Sequence, residues 1–290
     1  MLCNLIYNRP EAGPNKNYID FYRRACTRRG VDFLLLYKEE IDAGIVPLPQ
    51  HGFVINRTRD LSLTKALEAK GIPVFNNSTV TLLGNDKLAA LHYMEEAGLP
   101  VLRTAEHPED LDCYPIIMKS RDGHGGTEVF LLHSPEEAAV CQQQALRARA
   151  GLASSTTDAS ATADNPGIRW IYQEMADTPG KDLRVYITGN RITAAMLRTS
   201  ITDFRSNFCL GGKASVYTLS PEEEAIVKKT MSGLSIGHCG MDFLFHNGHL
   251  IFNELEDVVG SRMLYSYTNI DVVSDYLDFI LSEVTVHCAS

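Results

Sequence analysis

Three carboxylates, Asp242, Glu254 and Glu256, fall within one short stretch of apolar and aromatic residues, Gly240-Met-Asp-Phe-Leu-Phe-His-Asn-Gly-His-Leu-Ile-Phe-Asn-Glu-Leu-Glu-Asp257. Residues 240–245 and 249–256 have the composition of strands, and Asn247-Gly248 between them is a strong hairpin signal. Side chains alternate along a strand, so Glu254 and Glu256 share a face. Asp242 joins them in one register only. A two-residue Asn247-Gly248 turn pairs it with Asn253 and sends it to the other face, whereas a three-residue loop over 246–248 pairs it with Phe252 and brings it in. The three-residue loop is therefore expected, with Gly248 supplying its left-handed residue. Acids so placed repel by roughly 4 kcal/mol per pair at about 4 Å and an effective dielectric near ~20. A hard divalent cation with oxygen ligands offsets this, Mg²⁺ above all where phosphates complete its shell; protonation of one acid is the competing remedy. Acids pointing singly into water remain the plainer alternative at this point.

The elements that must hold this stretch come from a chain of 290 residues, 44% hydrophobic and 22% charged, long enough for two or three domains or lobes. A formal charge of -9 argues against nucleic-acid and anionic-membrane partners. No apolar run reaches membrane-spanning length and the start has no signal-peptide pattern, so a cytoplasmic location is expected. The seven cysteines form no Cys-x-x-Cys pair, which indicates neither a zinc site nor a disulfide framework. A homo-oligomer is compatible with this composition and is specified by nothing in it.

Residues 1–84 alternate strands (Leu2 to Tyr7, Val31 to Tyr37, Phe53 to Asn56, Pro73 to Asn76) with helices (Tyr18 to Arg29, Ser62 to Lys70), the rhythm of a small parallel sheet. Ligands collect at the carboxyl ends of such strands, where Asn8-Arg9 and Asn56-Arg57-Thr58-Arg59 fall. These loop-tip clusters either solvate the edge or recognise a carboxylate or phosphate. Lys87 stands in the first turn of a helix from Asp86 to Ala97. Tyr114 to Lys119 reads as a strand ending in a lysine, then Gly123, Gly125 and Gly126 form a loop able to fold over phosphates. Ser134-Pro-Glu-Glu137 and Ser220-Pro-Glu-Glu223 are capped helix starts. Gly151 to Asn165 reads as a mobile loop. Strands at 170–174, 182–188 and 191–198 suggest an antiparallel meander. Val273, Tyr276, Leu277 and Ile280 give the last helix an apolar stripe.

Taken together, the ordered pieces Asn85-Asp-Lys87, Ile116-Ile-Met-Lys119 with its glycine loop, Tyr172-Gln-Glu-Met175, Gly180-Lys-Asp-Leu-Arg-Val185, Asp203-Phe-Arg-Ser-Asn207 with Gly211-Gly-Lys213, and Gly240-Met-Asp242 with Asn253-Glu254 resemble an ATP-grasp ligase, closest to the RimK-like amino-acid ligases. The resemblance spans about residues 53–260. It implies a fold that is α/β plus α+β: a small parallel-sheet N-terminal domain (1–84), then a two-lobed ATP-grasp fold with a central lobe and glycine-rich lid (85–172) and a C-terminal lobe (173–290). It also implies ATP with Mg²⁺, or Mn²⁺ in its place. Adenine would lie against Gln173, Glu174 and Met175 and the ribose near Asp182, with Lys87 and Lys119 on the phosphates and the loop Gly123 to Gly126 as the lid. Asp242, Glu254 and Glu256 would hold the metal. Arg205, Asn207 and Lys213 match the stretch that handles the transferred phosphoryl group and the carboxylate.

Such an enzyme activates a small-molecule carboxylate as an acylphosphate and passes it to an amine, an amino acid or short peptide being the expected substrate class. Arg9, Arg57, Arg59 and Arg262 are the candidates for substrate recognition. Two departures from the family pattern stand out. Asn253-Glu254-Leu255-Glu256 has a Glu where the family usually has a second Asn, and Asp257-Val-Val-Gly260-Ser-Arg262 replaces the usual Ser-Pro-Gly on the acceptor side. The alternatives are a nucleotide-binding regulatory module without ligase activity and an ATP-grasp enzyme with a non-amine nucleophile.

Overall fold

The computed structural model describes residues 1–153, 168–206 and 212–289. Four parallel strands, β1 (Leu2–Tyr7), β2 (Asp32–Tyr37), β3 (Phe53–Asn56) and β4 (Val74–Phe75), form a sheet of order β2-β1-β3-β4. Helices α1 (Arg9–Ala12), α2 (Lys16–Arg28), α3 (Lys38–Asp42), α4 (Leu61–Glu68) and α5 (Ser78–Asn85) accompany it. β1 and β3 are central and buried on both faces, which is why they read as unbroken apolar runs. Ile19, Tyr22 and Cys26 of α2 cover one face, while Leu63 and Leu67 of α4 cover the other with Ile6 and Val54. Asp60 caps α4 by accepting the Leu63 N–H at 2.9 Å, so the turn carrying Arg57 and Arg59 is fixed at both ends.

α6 (Lys87–Glu96) leads to a second, antiparallel sheet of order β5-β8-β6-β7, made of β5 (Thr104–Ala105), β6 (Ile116–Ser120), β7 (Val129–Leu132) and β8 (Trp170–Glu174), with α7 (Glu136–Ala153) between β7 and β8. Residues 151–153 thus extend a helix rather than open a loop; the rest of the loop expected to Asn165 lies outside the described residues.

The third sheet, order β11-β10-β9-β12-β13, contains β9 (Lys181–Thr188), β10 (Arg191–Thr199), β11 (Lys213–Tyr217), β12 (His238–His246) and β13 (His249–Glu256). α8 (Pro221–Met231) starts with the expected capping box of Ser220 and Glu223, and α9 (Arg262–Tyr267) and α10 (Val272–Ala289) end the chain. Leu88, Leu91 and Met94 of α6 pack on Phe243, Phe252 and Leu255 of the β12-β13 hairpin, which anchors Lys87 beside the acids. The stripe on α10 is buried against Cys3, Leu5 and Phe53 of the first sheet. Fully burying side chains such as Leu277 and Ile280, both 0% exposed, stabilises the fold by about 1.5–3 kcal/mol each.

Two expectations are corrected here. Residues 170–174 do not join a meander with β9 and β10, because β8 pairs with β5 and β6 in the second sheet. The hairpin turn is also not a three-residue loop. His246 pairs with His249 across Asn247 (φ 51) and Gly248 (φ 78), the two left-handed residues of a two-residue turn. The register slips instead at a bulge: Phe243 faces Phe252 but Asp242 faces Glu254, leaving Asn253 as the extra residue. The bulge returns Asp242 to the face of Glu254 and Glu256 by another route. Among the described residues, no helix is long and apolar enough to cross a membrane.

Candidate active site

The glycine loop, the end of β8 and the five-stranded sheet enclose a cleft of about 1030 Å³ lined by Lys87, Lys119, Gly123, Gly125, Gly126, Gln173, Glu174, Met175, Asp182, Arg205, Glu254 and Glu256. Residues named from the sequence thus converge on one space. Asp242 lies just beneath its floor, 1% exposed. Asn207 is outside the described residues, and Lys213 is an exposed residue at the start of β11, away from the residues that line the cleft.

Oxygen atoms of Asp242, Glu254 and Glu256 all lie within 4.8 Å of one another. Their repulsion is met in a way the sequence reading did not foresee. Register places Arg184 of β9 opposite Asp242, and its Nε and Nη2 donate to the two carboxylate oxygens at 2.7 and 2.6 Å. Its Nη1 reaches Glu256 at 2.7 Å. Arg198 of β10 faces Asp182 across the sheet, grips it through Nε and Nη2 at 2.6 Å each, and shares Nη2 with Asp242 at 2.7 Å. Burial works to raise the Asp242 pKa, yet Arg184 and Arg198 prevail and hold it at about 2. For Glu256, burial wins, reinforced by Asp242 and Glu254, and its pKa is raised despite Arg184. Arg184 and Arg198 are the functional residues missed from sequence; the available signal was a guanidinium set in otherwise apolar strands, which requires a buried partner.

This donor set fits a hard divalent cation. Glu254 and Glu256 face the cleft, and Asp242 has used three of the roughly four lone-pair sites of a carboxylate, leaving capacity on Oδ1. Glu256 in place of the family's neutral amide keeps the set all-oxygen.

The opposite wall supplies cations. Lys119, 4% exposed, donates to Gln173 Oε1 at 2.9 Å and to Asn253 Oδ1, on the bulge, at 3.0 Å. Burial, with help from Lys87, lowers its pKa to about 8. Lys87 Nζ lies 3.6 Å from Glu254 and donates to the Gly123 carbonyl; Arg205 Nη1 donates to the Gly126 carbonyl at 2.9 Å. Two basic side chains therefore pin the glycine loop at both ends. A side chain at Gly123 would meet Ser120 Oγ at 1.9 Å, so the loop needs glycine there.

Behind the acids, Asp257 accepts from Asn76 Nδ2 and Thr81 Oγ1, each at 2.9 Å. Gly84 lets α5 abut it, since a Cβ there would lie 2.5 Å from the Asp257 Cβ. Arg57 Nη2 donates to the Val259 carbonyl at 3.1 Å and stacks 4.9 Å over Tyr18. Arg59 pairs with Glu11 at 2.9 Å. Arg9 lies on the flank, 4.2 Å over the Tyr37 ring and paired with Glu40. Arg262 is exposed at the start of α9.

The family model of the RimK-like ATP-grasp domain matches residues 102–280. A probable alpha-L-glutamate ligase of Hydrogenovibrio crunogenus is 25% identical over 238 residues, covering 78% of this chain and 73% of that protein. Among solved structures, the chain resembles a RimK domain ATP-grasp protein from Sphaerobacter thermophilus with TM-score 0.67 at 16% identity, over 97% of this chain and all of that one (100%). It also resembles the D-alanine–D-alanine ligase of Bacillus anthracis complexed with ATP, with TM-score 0.69 at 12% identity over 97% and 96% of the two chains. These likenesses extend over the parallel sheet as well as the cleft.

Proposed function

The chain belongs to the RimK-like ATP-grasp family, and from that premise we propose that it joins a carboxylate to an amine through an acylphosphate, releasing ADP and phosphate, with an amino acid or short peptide as substrate. The observation that carries this reading is the acid trio set across one cleft from Lys87 and Lys119, beneath a glycine loop. Asp242, Glu254 and Glu256 would hold Mg²⁺, or Mn²⁺ in its place. The ion would bridge phosphate oxygens and reduce the charge that repels an incoming carboxylate.

The remaining tasks fall to the chain itself. Lys119 and Lys87 neutralise and orient phosphate oxygens, which is most of what phosphoryl transfer asks of a protein. Gln173 fixes the Lys119 ammonium, and Glu174 and Met175 offer the wall for the base. Asp182, 6% exposed and held by Arg198, presents its edge to the cleft for the ribose. The loop from Gly123 to Gly126 covers the reacting centre and excludes water that would hydrolyse an acylphosphate. Arg205, tied to that loop, stabilises charge on the transferred group. Asn207 and Lys213 keep their assignment beside it on resemblance alone.

The test is ADP formation by the full chain with ATP and Mg²⁺ and pools of amino acids and dipeptides, followed by the mass of the product. Stimulated ADP release with a product heavier by the amine less water is expected. Nucleotide binding with no stimulated turnover by any pool would instead identify a regulatory module, and a product without nitrogen from the amine would identify another nucleophile.

A further inference from the structure

The carboxyl edge of the first sheet lies against the acid trio's own strand connection: Arg57, the residue after β3, reaches the Val259 carbonyl at 3.1 Å, three positions beyond Glu256. Arg59 stands at the same edge in the left-handed region, φ 61, a conformation that costs a non-glycine residue about 1–3 kcal/mol and clusters at ligand clamps. The turn is not loose, since Asn56 Oδ1 accepts from the Thr58 N–H at 3.1 Å and Asp60 caps α4. The strain is therefore held in place by its neighbours.

Arg59 is incompletely used. Its Nη1 donates to Glu11 at 2.9 Å with the side chain 29% exposed, while its Nε is buried with no hydrogen-bond partner among the described residues. A buried donor left unmade costs about 1–3 kcal/mol, so it requires an acceptor that the described residues do not supply. Glu11 fixes the guanidinium plane from one side and leaves the Nε edge, whose parallel donors match the two oxygens of a carboxylate. Arg57 also has an unpartnered Nε, but at 9% exposure, with its ring contacts to Tyr7 and Tyr18 and its bond to Val259, it is the peg that sets this edge against the loop. Arg9 is occupied by Glu40 on the flank.

We propose that Arg59 anchors a carboxylate group of the non-nucleotide substrate side-on through its Nε edge, which names the substrate class for the ligase reading and rests on it. The phosphates have their own cations in Lys87 and Lys119, so the two anions are gripped from different sheets. Arg59 is thus a specificity-determining residue at the end of β3.

The test uses the full chain labelled with ¹⁵N at arginine Nε, with ADP and Mg²⁺ present and again without them. The Arg59 resonance is assigned by its loss in Arg59→Lys. It is titrated with a pool of L-amino acids and with the same compounds having every carboxyl converted to carboxamide. The Arg59 Nε–H resonance is expected to move with the acids and stay with the amides; no movement with either pool, or equal movement with both, overturns the proposal. Calorimetric titration of ADP is read separately, so a failure of nucleotide binding would strike the ligase reading while the arginine resonance still decides the carboxylate site. In turnover, Arg59→Lys should raise the KM of the stimulating amino acid on the order of 10- to 100-fold and leave the KM for ATP unchanged; equal changes in both would contradict it.

Discussion

The five-stranded sheet and the carboxyl edge of the parallel sheet each gather arginines, and they treat them in opposite ways. Arg184 and Arg198 are nearly sealed, at 8% and 3% side-chain exposure, and are bound to Asp182, Asp242 and Glu256 in a reciprocal network. Arg57 and Arg59 each keep a buried Nε without a partner among the described residues. The first pair holds carboxylates in a fixed array, since moving any one of them would strand a buried charge. The second pair is complete only with an anion from outside. One region is thereby preorganised for metal and phosphate, and the other is left to recognise whatever carboxylate is to be joined.

The sharpest way to break this contrast is to neutralise an acid that faces the cleft. Glu254→Gln should lower amino-acid-dependent ADP formation by about 10²–10³-fold or more with an unchanged circular dichroism spectrum; turnover near wild type would remove Glu254 from the centre. Next in size is the effect on folding. Arg198→Met leaves Asp182 and Asp242 short of a buried partner and should cost about 3–5 kcal/mol in denaturant unfolding. Arg57→Met loses one hydrogen bond and no carboxylate partner, so about 1–2 kcal/mol is expected. Equal losses would mean that the two pairs do not differ as described.

Proton linkage at Lys119 gives a smaller effect. Its pKa is lowered to about 8 by burial, so the ammonium is intact below pH 8 and is lost as pH rises through that value. An anion bound to it restores the charge, and nucleotide affinity should therefore fall by up to about tenfold per pH unit above 8, with proton uptake detectable by calorimetry in buffers of different ionisation heat. Affinity flat to pH 10 would place Lys119 away from the phosphates. Smallest of all is Arg9→Ala. With 55% of its side chain exposed, its pair with Glu40 is screened, and stability should change by no more than about 0.5 kcal/mol while the amino-acid KM stays constant; a raised KM would extend the recognition edge to β1.

The parallel sheet was legible because β1 and β3 are apolar throughout and glycines and polar clusters punctuate them. The hairpin turn was legible in its residues and not in its type. Asn247-Gly248 forms the two-residue turn its sequence favours, and the bulge at Asn253, not a longer loop, gathers the acids. That bulge is set by packing of Phe243 and Phe252 against each other, 6.1 Å between ring centroids, and by Lys119 reaching Asn253 from another sheet, neither of which local sequence contains. β8 was misassigned for the same reason, since partner choice among strands depends on contacts distant in sequence. Arg184 and Arg198 escaped because their partners sit on neighbouring strands, 58 and 16 positions away. The acids, lysines and glycine loop were found because their residue types have few other uses in that order.

The most direct measurement is anomalous diffraction from crystals grown with Mn²⁺ and a non-hydrolysable ATP analogue. The account predicts a peak within coordination distance of Glu254 and Glu256, with the analogue's phosphates reaching Lys87 and Lys119 beneath the glycine loop. An analogue bound in the cleft with the metal peak elsewhere, or bound outside the cleft, would contradict it.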